Sequence, residues 1–321
     1  MSLEMRHGRS GSTRRSFASR HRRSALALAA AVVVAGAYPA AAQAPSDTGR
    51  APAPSKTAPS KTSKPTLRVC QDPNNLPFSS REEEGLEHKI GELIAHDLGT
   101  TVEDVWRPQR RGFVRNTLGA GKCDLMVNVP TGYDPVETTK TYYRTTYVFV
   151  YRTDRGYHIT SLDDPLLHRL KVGIHITGDD YDNPPAAEAL AARHIIDNVK
   201  GYMIYGDYSK PNPPANLIKA VANGDVDVAI VWGPFAGYFA PRSPVPLTMV
   251  PVSPAFDTLS HEPFTYAMSM GVPKGDTAAV TLLNTLIDRE RTAIENILRE
   301  YGVPLVKGGK TATTPADTKD K

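Results

Sequence analysis

What the chain lacks narrows its function before anything it contains. Its 321 residues hold no Gly-x-Ser-x-Gly elbow, no P-loop and no dinucleotide fingerprint. His88, His96, His158, His168, His175, His194 and His261 are scattered, with no His-Glu-x-x-His pairing to hold zinc. No nucleophile sits beside a base in any known catalytic pattern, so a binding protein is expected rather than an enzyme. No apolar run reaches the roughly 20 residues that a membrane span needs. Cysteine is scarce, with Cys70 and Cys123 alone, and none follows the leader directly, which argues against a lipid anchor.

The leader itself is plain. Met1 to Ala44 carries seven arginines, then the apolar run Ser24 to Ala37, then Ala-x-Ala sites that place a cut after Ala42 or Ala44. This order is that of a secretory signal peptide. Thr13-Arg-Arg-Ser-Phe17 resembles a twin-arginine signal, and an ordinary arginine-rich leader fits the same residues, so the export route is open. Without the leader's seven arginines and one acid, the chain's 38 basic and 34 acidic residues become 31 and 33, a formal balance of −2. The electrostatic footing for a nucleic-acid partner goes with it. In an oxidising compartment Cys70 and Cys123 could pair, and closing their loop contributes about 4 kcal/mol by the chain-entropy account. Each lies at the end of a separate expected strand, so two buried thiols are the other reading.

Pro45 to Pro65 is a Pro/Ser/Lys/Thr/Ala tract with the repeat Ala53-Pro-Ser-Lys-Thr57, Ala58-Pro-Ser-Lys-Thr62. It has too little apolar surface to offset its ordering entropy and reads as a disordered linker; Lys307 to Lys321 reads the same way. Between them short apolar runs alternate with amphipathic segments, the pattern of an α/β fold. Strands are expected at Leu67–Gln71, Thr101–Trp106, Cys123–Val129, Tyr147–Tyr151, Lys171–Ile176, Val199–Tyr205, Asp227–Trp232 and Pro263–Val272. Helices are expected at Gly85–Leu98, around Phe113–Leu118, at Pro184–Ile195 and Pro213–Ala222, and as one long helix over Asp276–Tyr301. This order suggests a first lobe of residues 66–150 and 253–303 interrupted by a second lobe of residues 151–252.

Two strands run into loops rich in polar and aromatic residues: Leu67 to Phe78 and Asp225 to Phe235. Ligands of open α/β sheets bind at such strand ends. The candidate cleft or partner-binding residues are Asp72, Asn74 and Asn75 in the first loop, then Trp106, Arg110 and Arg111 after the second strand. Asn128 lies in the third and Tyr133 and Asp134 follow it, and Asp180, Tyr181 and Trp232 belong to the second lobe. Arg110 and Arg111 read as an anion site, because guanidinium groups grip carboxylates bidentately, or as a solvated pair holding the loop. Asp179, Asp180 and Asp182 suit a hard cation but lack calcium-loop spacing, and complementing the next helix's N-terminus is the better reading of them. No metal or cofactor is assigned.

The motifs Asp72-Pro-Asn-Asn-Leu-Pro-Phe78, Trp106-Arg-Pro-Gln-Arg-Arg-Gly-Phe113, Gly178-Asp-Asp-Tyr181, Tyr205-Gly-Asp-Tyr208 and Trp232-Gly-Pro-Phe-Ala-Gly-Tyr-Phe239 carry a family resemblance. They resemble the MxaJ/XoxJ proteins, periplasmic substrate-binding-like partners of quinoprotein methanol dehydrogenases. The resemblance implies a type II periplasmic binding fold, two lobes each with a mostly parallel sheet flanked by helices, and a cleft between them. It implies as partner the large subunit of a PQQ-dependent methanol dehydrogenase, whose tricarboxylate quinone would suit an anion site. Amino-acid receptors of this fold usually carry a carboxylate-clamping Arg about ten residues before a Tyr-Tyr pair. Here that position is Gly132, ahead of Tyr142-Tyr143, and their ammonium-binding acid is replaced by Trp232. An amino-acid ligand would leave two charges unpaired. The remaining alternative is an ABC-importer receptor for another small solute.

Overall fold

The computed structural model describes residues 65–82, 85–177, 184–205 and 208–307. The expected leader, the linker up to residue 64 and the tail beyond residue 307 lie outside them, as do Asp179, Asp180, Tyr181 and Asp182.

The chain opens with a parallel βαβ unit. β1 (Thr66–Gln71) runs into a small hairpin of β2 (Asn74–Asn75) and β3 (Ser79–Ser80), and α1 (Leu86–Asp97) follows. The α1 side chains Leu86, Ile90 and Ile94, spaced four apart, fall on one face and are fully buried. β4 (Thr101–Trp106) then pairs with β1 in register, Thr66 opposite Thr101 and Gln71 opposite Trp106. The next helix, α2 (Phe113–Asn116), is shorter than expected. Thr117 leaves helical dihedrals and its hydroxyl donates back to the Phe113 carbonyl at 2.6 Å, closing the turn.

β5 (Met126–Pro130) starts three residues later than expected, because Asp124 is engaged by the Arg68 backbone N–H at 3.0 Å and by its guanidinium. This places β5 alongside β1, with the Cys70 N–H donating to the Leu125 carbonyl at 2.9 Å. The two cysteines are thereby neighbours, Cα to Cα 5.4 Å, and form a disulfide.

After β6 (Glu137–Thr138) comes β7 (Tyr143–Arg152), twice the expected five residues. The second α/β series is β8 (Val172–Ile176), α3 (Pro185–Ala191), β9 (Val199–Met203), α4 (Ala215–Asn223) and β10 (Val228–Trp232). The chain turns straight from Trp232 into α5 (Gly233–Phe239), where a loop was expected. β11 (Leu247–Pro251), missed in the sequence, leads to the hairpin β12 (Phe256–Asp257) and β13 (Glu262–Pro263), then β14 (Thr265–Val272). The single terminal helix expected is two, α6 (Thr277–Arg289) and α7 (Arg291–Glu300), broken at Glu290 where Arg289 pairs with Asp97 at the end of α1.

Eight strands form one mixed sheet with the path β5-β14-β7-β10-β8-β9, and β6 and β11 attach to β14 and β7. β10, β8 and β9 are parallel, while β7 and β14 run antiparallel to their neighbours and carry the chain between the two halves. Half of β7 pairs with β14 and the other half with β10 and β11. A large core joins α1 and the terminal helices to α4 and α5; a second lies under α3 and β8; a third surrounds the disulfide. α5 lies so close to the chain after α7 that a Cβ on Gly237 would stand 1.8 Å from the Gly302 carbonyl oxygen. Among the described residues no helix is long and apolar enough to cross a membrane.

Candidate functional site

The end of β1 delivers Asp72 into a buried position where it works as a clamp. One carboxylate oxygen accepts the Asn74 N–H at 2.8 Å; the other accepts the Gln109 N–H at 2.5 Å and the Tyr208 hydroxyl at 2.8 Å. Burial raises its pKa against the pull of these donors and of Arg110. Asn74 completes the tie: its amide donates to the Lys210 carbonyl at 2.8 Å, and its Oδ1 accepts from the Asn212 N–H at 2.9 Å. Both residues therefore hold the first loop against the 208–212 segment and are taken up by structure.

Beside this clamp lies a cavity of about 330 Å³, lined by residues from Asn75 to Met268. Its size sits at the lower end of pockets that hold small organic molecules. Three rings form one contiguous wall: Tyr147 and Trp232 have centroids 5.1 Å apart, Trp232 and Tyr266 5.4 Å, Tyr147 and Tyr266 6.4 Å. Phe78, Phe235 and Met268 add apolar surface.

Polar groups complete the lining. Glu87, in the first turn of α1, accepts from the Asn128 amide at 3.2 Å and is hydrogen-bonded by Ser79. Asn128 in turn accepts the hydroxyls of Tyr142 and Tyr143, each at 2.8 Å. Burial, reinforced by the charges of Asp72 and Asp104, pushes the Glu87 carboxyl up to about 7. Among the described residues Glu87 is the one charged residue in the lining, and no Arg, Lys or His joins it there. Asn75 is 4 % exposed, donates to Gln109 Oε1 at 3.3 Å, and has an Oδ1 with no hydrogen-bond partner among the described residues.

A second cavity, of about 540 Å³, shares Gln109, Asn128, Pro130 and Tyr205 with the first, and its charge is opposite: Arg110, Arg111 and Arg115 line it. Arg110 and Arg111 are exposed, and the Arg110 guanidinium lies 5.4 Å from the centroid of the Tyr208 ring.

Of the residues singled out in the sequence, Asn75, Asn128 and Trp232 meet in the aromatic cavity, and Arg110, Arg111, Asn128 and Tyr133 in the basic one. Asp72 and Asn74 sit behind them as clamps. Trp106 lines neither; Arg81 covers its ring at 5.7 Å. Asp134 is almost fully exposed and lies 3.5 Å from Lys274. Asp180 and Tyr181 are outside the described residues. Sequence reasoning missed Glu87, Gln109, Tyr147 and Tyr266. The only signal for Glu87 was an acid in a first helical turn, which ordinarily means no more than dipole compensation. His175 is a core residue, packed on Phe235 and held by the Pro214 carbonyl, and burial pushes it down to about 4.

Paired α/β halves joined by antiparallel crossing strands, with cavities at the strand ends, define a two-lobed type II periplasmic binding protein. No family model matches the chain. It is 31% identical over 296 residues to Protein MoxJ of Methylorubrum extorquens, covering 88% of this chain and 95% of that protein. It is 34% identical to the crystal structure of the periplasmic binding protein XoxJ from Methylobacterium extorquens AM1, covering 75% of this chain and 100% of that one, with a TM-score of 0.61. The crystal structure of MxaJ from Methlophaga aminisulfidivorans MPT superimposes with a TM-score of 0.63 over the same shares, 75% and 100%, at 22% identity. The chain belongs to the MoxJ family, which includes the MxaJ and XoxJ proteins.

Proposed function

We propose that this protein is a non-enzymatic periplasmic accessory factor that binds a PQQ-dependent methanol dehydrogenase through its large subunit and assists that enzyme in methanol oxidation. The observation that carries the reading is a solute-receptor frame without an amino-acid receptor's charges. Trp232 stands where an ammonium-binding acid would, packed between Tyr147 and Tyr266, and Gly132 stands where a carboxylate-clamping Arg would. Membership of the MoxJ family supports the same partner. The lobes are assigned as residues 66–150 with 253–303 and residues 151–252, and the leader exports the chain by the general or the twin-arginine route.

The test is a pull-down with the tagged protein from its own host's periplasm, read by mass spectrometry. Recovery of a quinoprotein dehydrogenase is expected. A permease in its place would move the assignment to an ABC-importer receptor for a small solute other than an amino acid. That second reading is favoured by the 330 Å³ cavity, which is the size of a small-molecule site.

A further inference from the structure

We propose that the aromatic cavity is a binding site for a small alkylammonium cation, held by the Glu87 carboxylate and the Asn75 side-chain oxygen, with its alkyl groups against Tyr147, Trp232 and Tyr266. The inference goes beyond the partner reading and does not need it.

The cavity asks for a particular chemistry. Among the described residues its lining has one acid and no base, so an anion or a zwitterion with a carboxylate finds no cation there to pair with. Its polar residues include acceptors: the Glu87 carboxylate, whose hydrogen-bond partners among the described residues are the neutral Asn128 and Ser79, and Asn75 Oδ1, buried with no donor among the described residues. An unmet buried acceptor costs free energy that a ligand N–H recovers. The same lining holds the three-ring wall, and ring faces attract organic ammonium ions through their quadrupoles. A hard metal ion would need several oxygen ligands, which a single carboxylate in an apolar cavity does not supply. A neutral alcohol could serve Asn75 but would leave the carboxylate charge uncompensated. An ammonium ion carrying both N–H and methyl groups answers every feature.

Binding is then coupled to protons. Among the described residues the charges that act most on Glu87 are Asp72 and Asp104, both acids; Tyr142, Tyr143 and Tyr205 also couple to it, and burial pushes each of them above the usual tyrosine range. With the free carboxyl at about 7, the cation competes with a proton below that pH. Affinity therefore falls with acidification, roughly 100-fold between pH 8 and pH 5.

The experiment is calorimetric titration of trimethylammonium chloride into the protein purified from periplasm, at pH 8 and pH 5, with tetramethylammonium and tert-butanol as controls. Trimethylammonium binds at pH 8 and weakens about 100-fold at pH 5; tetramethylammonium, with no N–H, binds less tightly, and tert-butanol does not bind. Glu87→Gln lowers the affinity at pH 8 at least tenfold, and Asn75→Ala lowers it less. The proposal is overturned by no heat with millimolar trimethylammonium, by equal binding of tert-butanol, or by a folded Glu87→Gln variant that binds as the parent does. If Glu87→Gln does not fold, the pH pair and the tert-butanol control on the parent protein decide alone. Failure here leaves the pull-down result standing, and the reverse holds equally.

Discussion

Replacing Glu87 by Gln should stabilise the ligand-free protein, and by an amount that depends on pH. The sign follows from the raised carboxyl. Its ordinary value is 4.5 and the folded state holds it at about 7, so the folded protein prefers the protonated form. Stability associated with this group is fully present below about 4.5 and is lost as pH rises towards 7. A shift from 4.5 to about 7 corresponds to at most about 3 kcal/mol at pH 8. Glu87 lines a cavity and is only partly shielded, so screening reduces this to about 1–2 kcal/mol. Gln keeps the shape and the neutrality of the protonated acid and removes the titration. Urea unfolding of parent and variant at pH 5, 6, 7 and 8 measures the difference. The variant's advantage should widen by about 1–2 kcal/mol from pH 5 to pH 8. A constant gap, or one that narrows, would refute the picture of a carboxylate held against its solvation.

Three further outcomes are expected. The Cys70→Ser, Cys123→Ser double variant should lose about 4 kcal/mol, because the disulfide closes a loop with a sequence separation of 53, and thermal unfolding with and without reductant reads it. Arg193→Ala should cost about 3–5 kcal/mol by chemical denaturation, since it strands Asp257, which is 2 % exposed and held well below the usual carboxylate range by bonds of 2.7 and 2.9 Å to that guanidinium. Asn74→Ala should leave global stability nearly unchanged while speeding amide exchange across residues 208–212, whose tie to the first loop it removes.

Much of the frame was legible in the sequence because it depends on local periodicity. The spacing of Leu86, Ile90 and Ile94 settles α1, and Thr101–Trp106 reads as a strand from its own residues. The departures lie where distant partners decide. β7 extends back to Tyr143 because β14 pairs with Tyr143–Thr146, burying Thr145 and Thr146, which nothing in their own pattern announces. The terminal helix breaks at Glu290 without a Pro or Gly to mark it. Trp106 and Trp232 both end strands and looked alike. Only Trp232 lines the cavity: it ends β10 in the large sheet, paired with Tyr147 of β7, whereas Trp106 ends β4 in the separate two-stranded sheet, its ring under Arg81.

The sequence by itself determined the alternation of strands and helices, the two cysteines available for pairing, the absent amino-acid clamp and the family. The first two are matters of composition and periodicity; the last two rest on motifs that resemble a known family. Only the tertiary structure decided that Asp72 and Asn74 are clamps and that, among the described residues, Glu87 is the lone charge in an aromatic cavity and Asn75 Oδ1 lacks a donor. The cavity wall is drawn from segments between residues 75 and 268, so its electrostatics belong to no segment alone. An acid's character depends on what surrounds it, and for Glu87 those surroundings come together only when the chain folds.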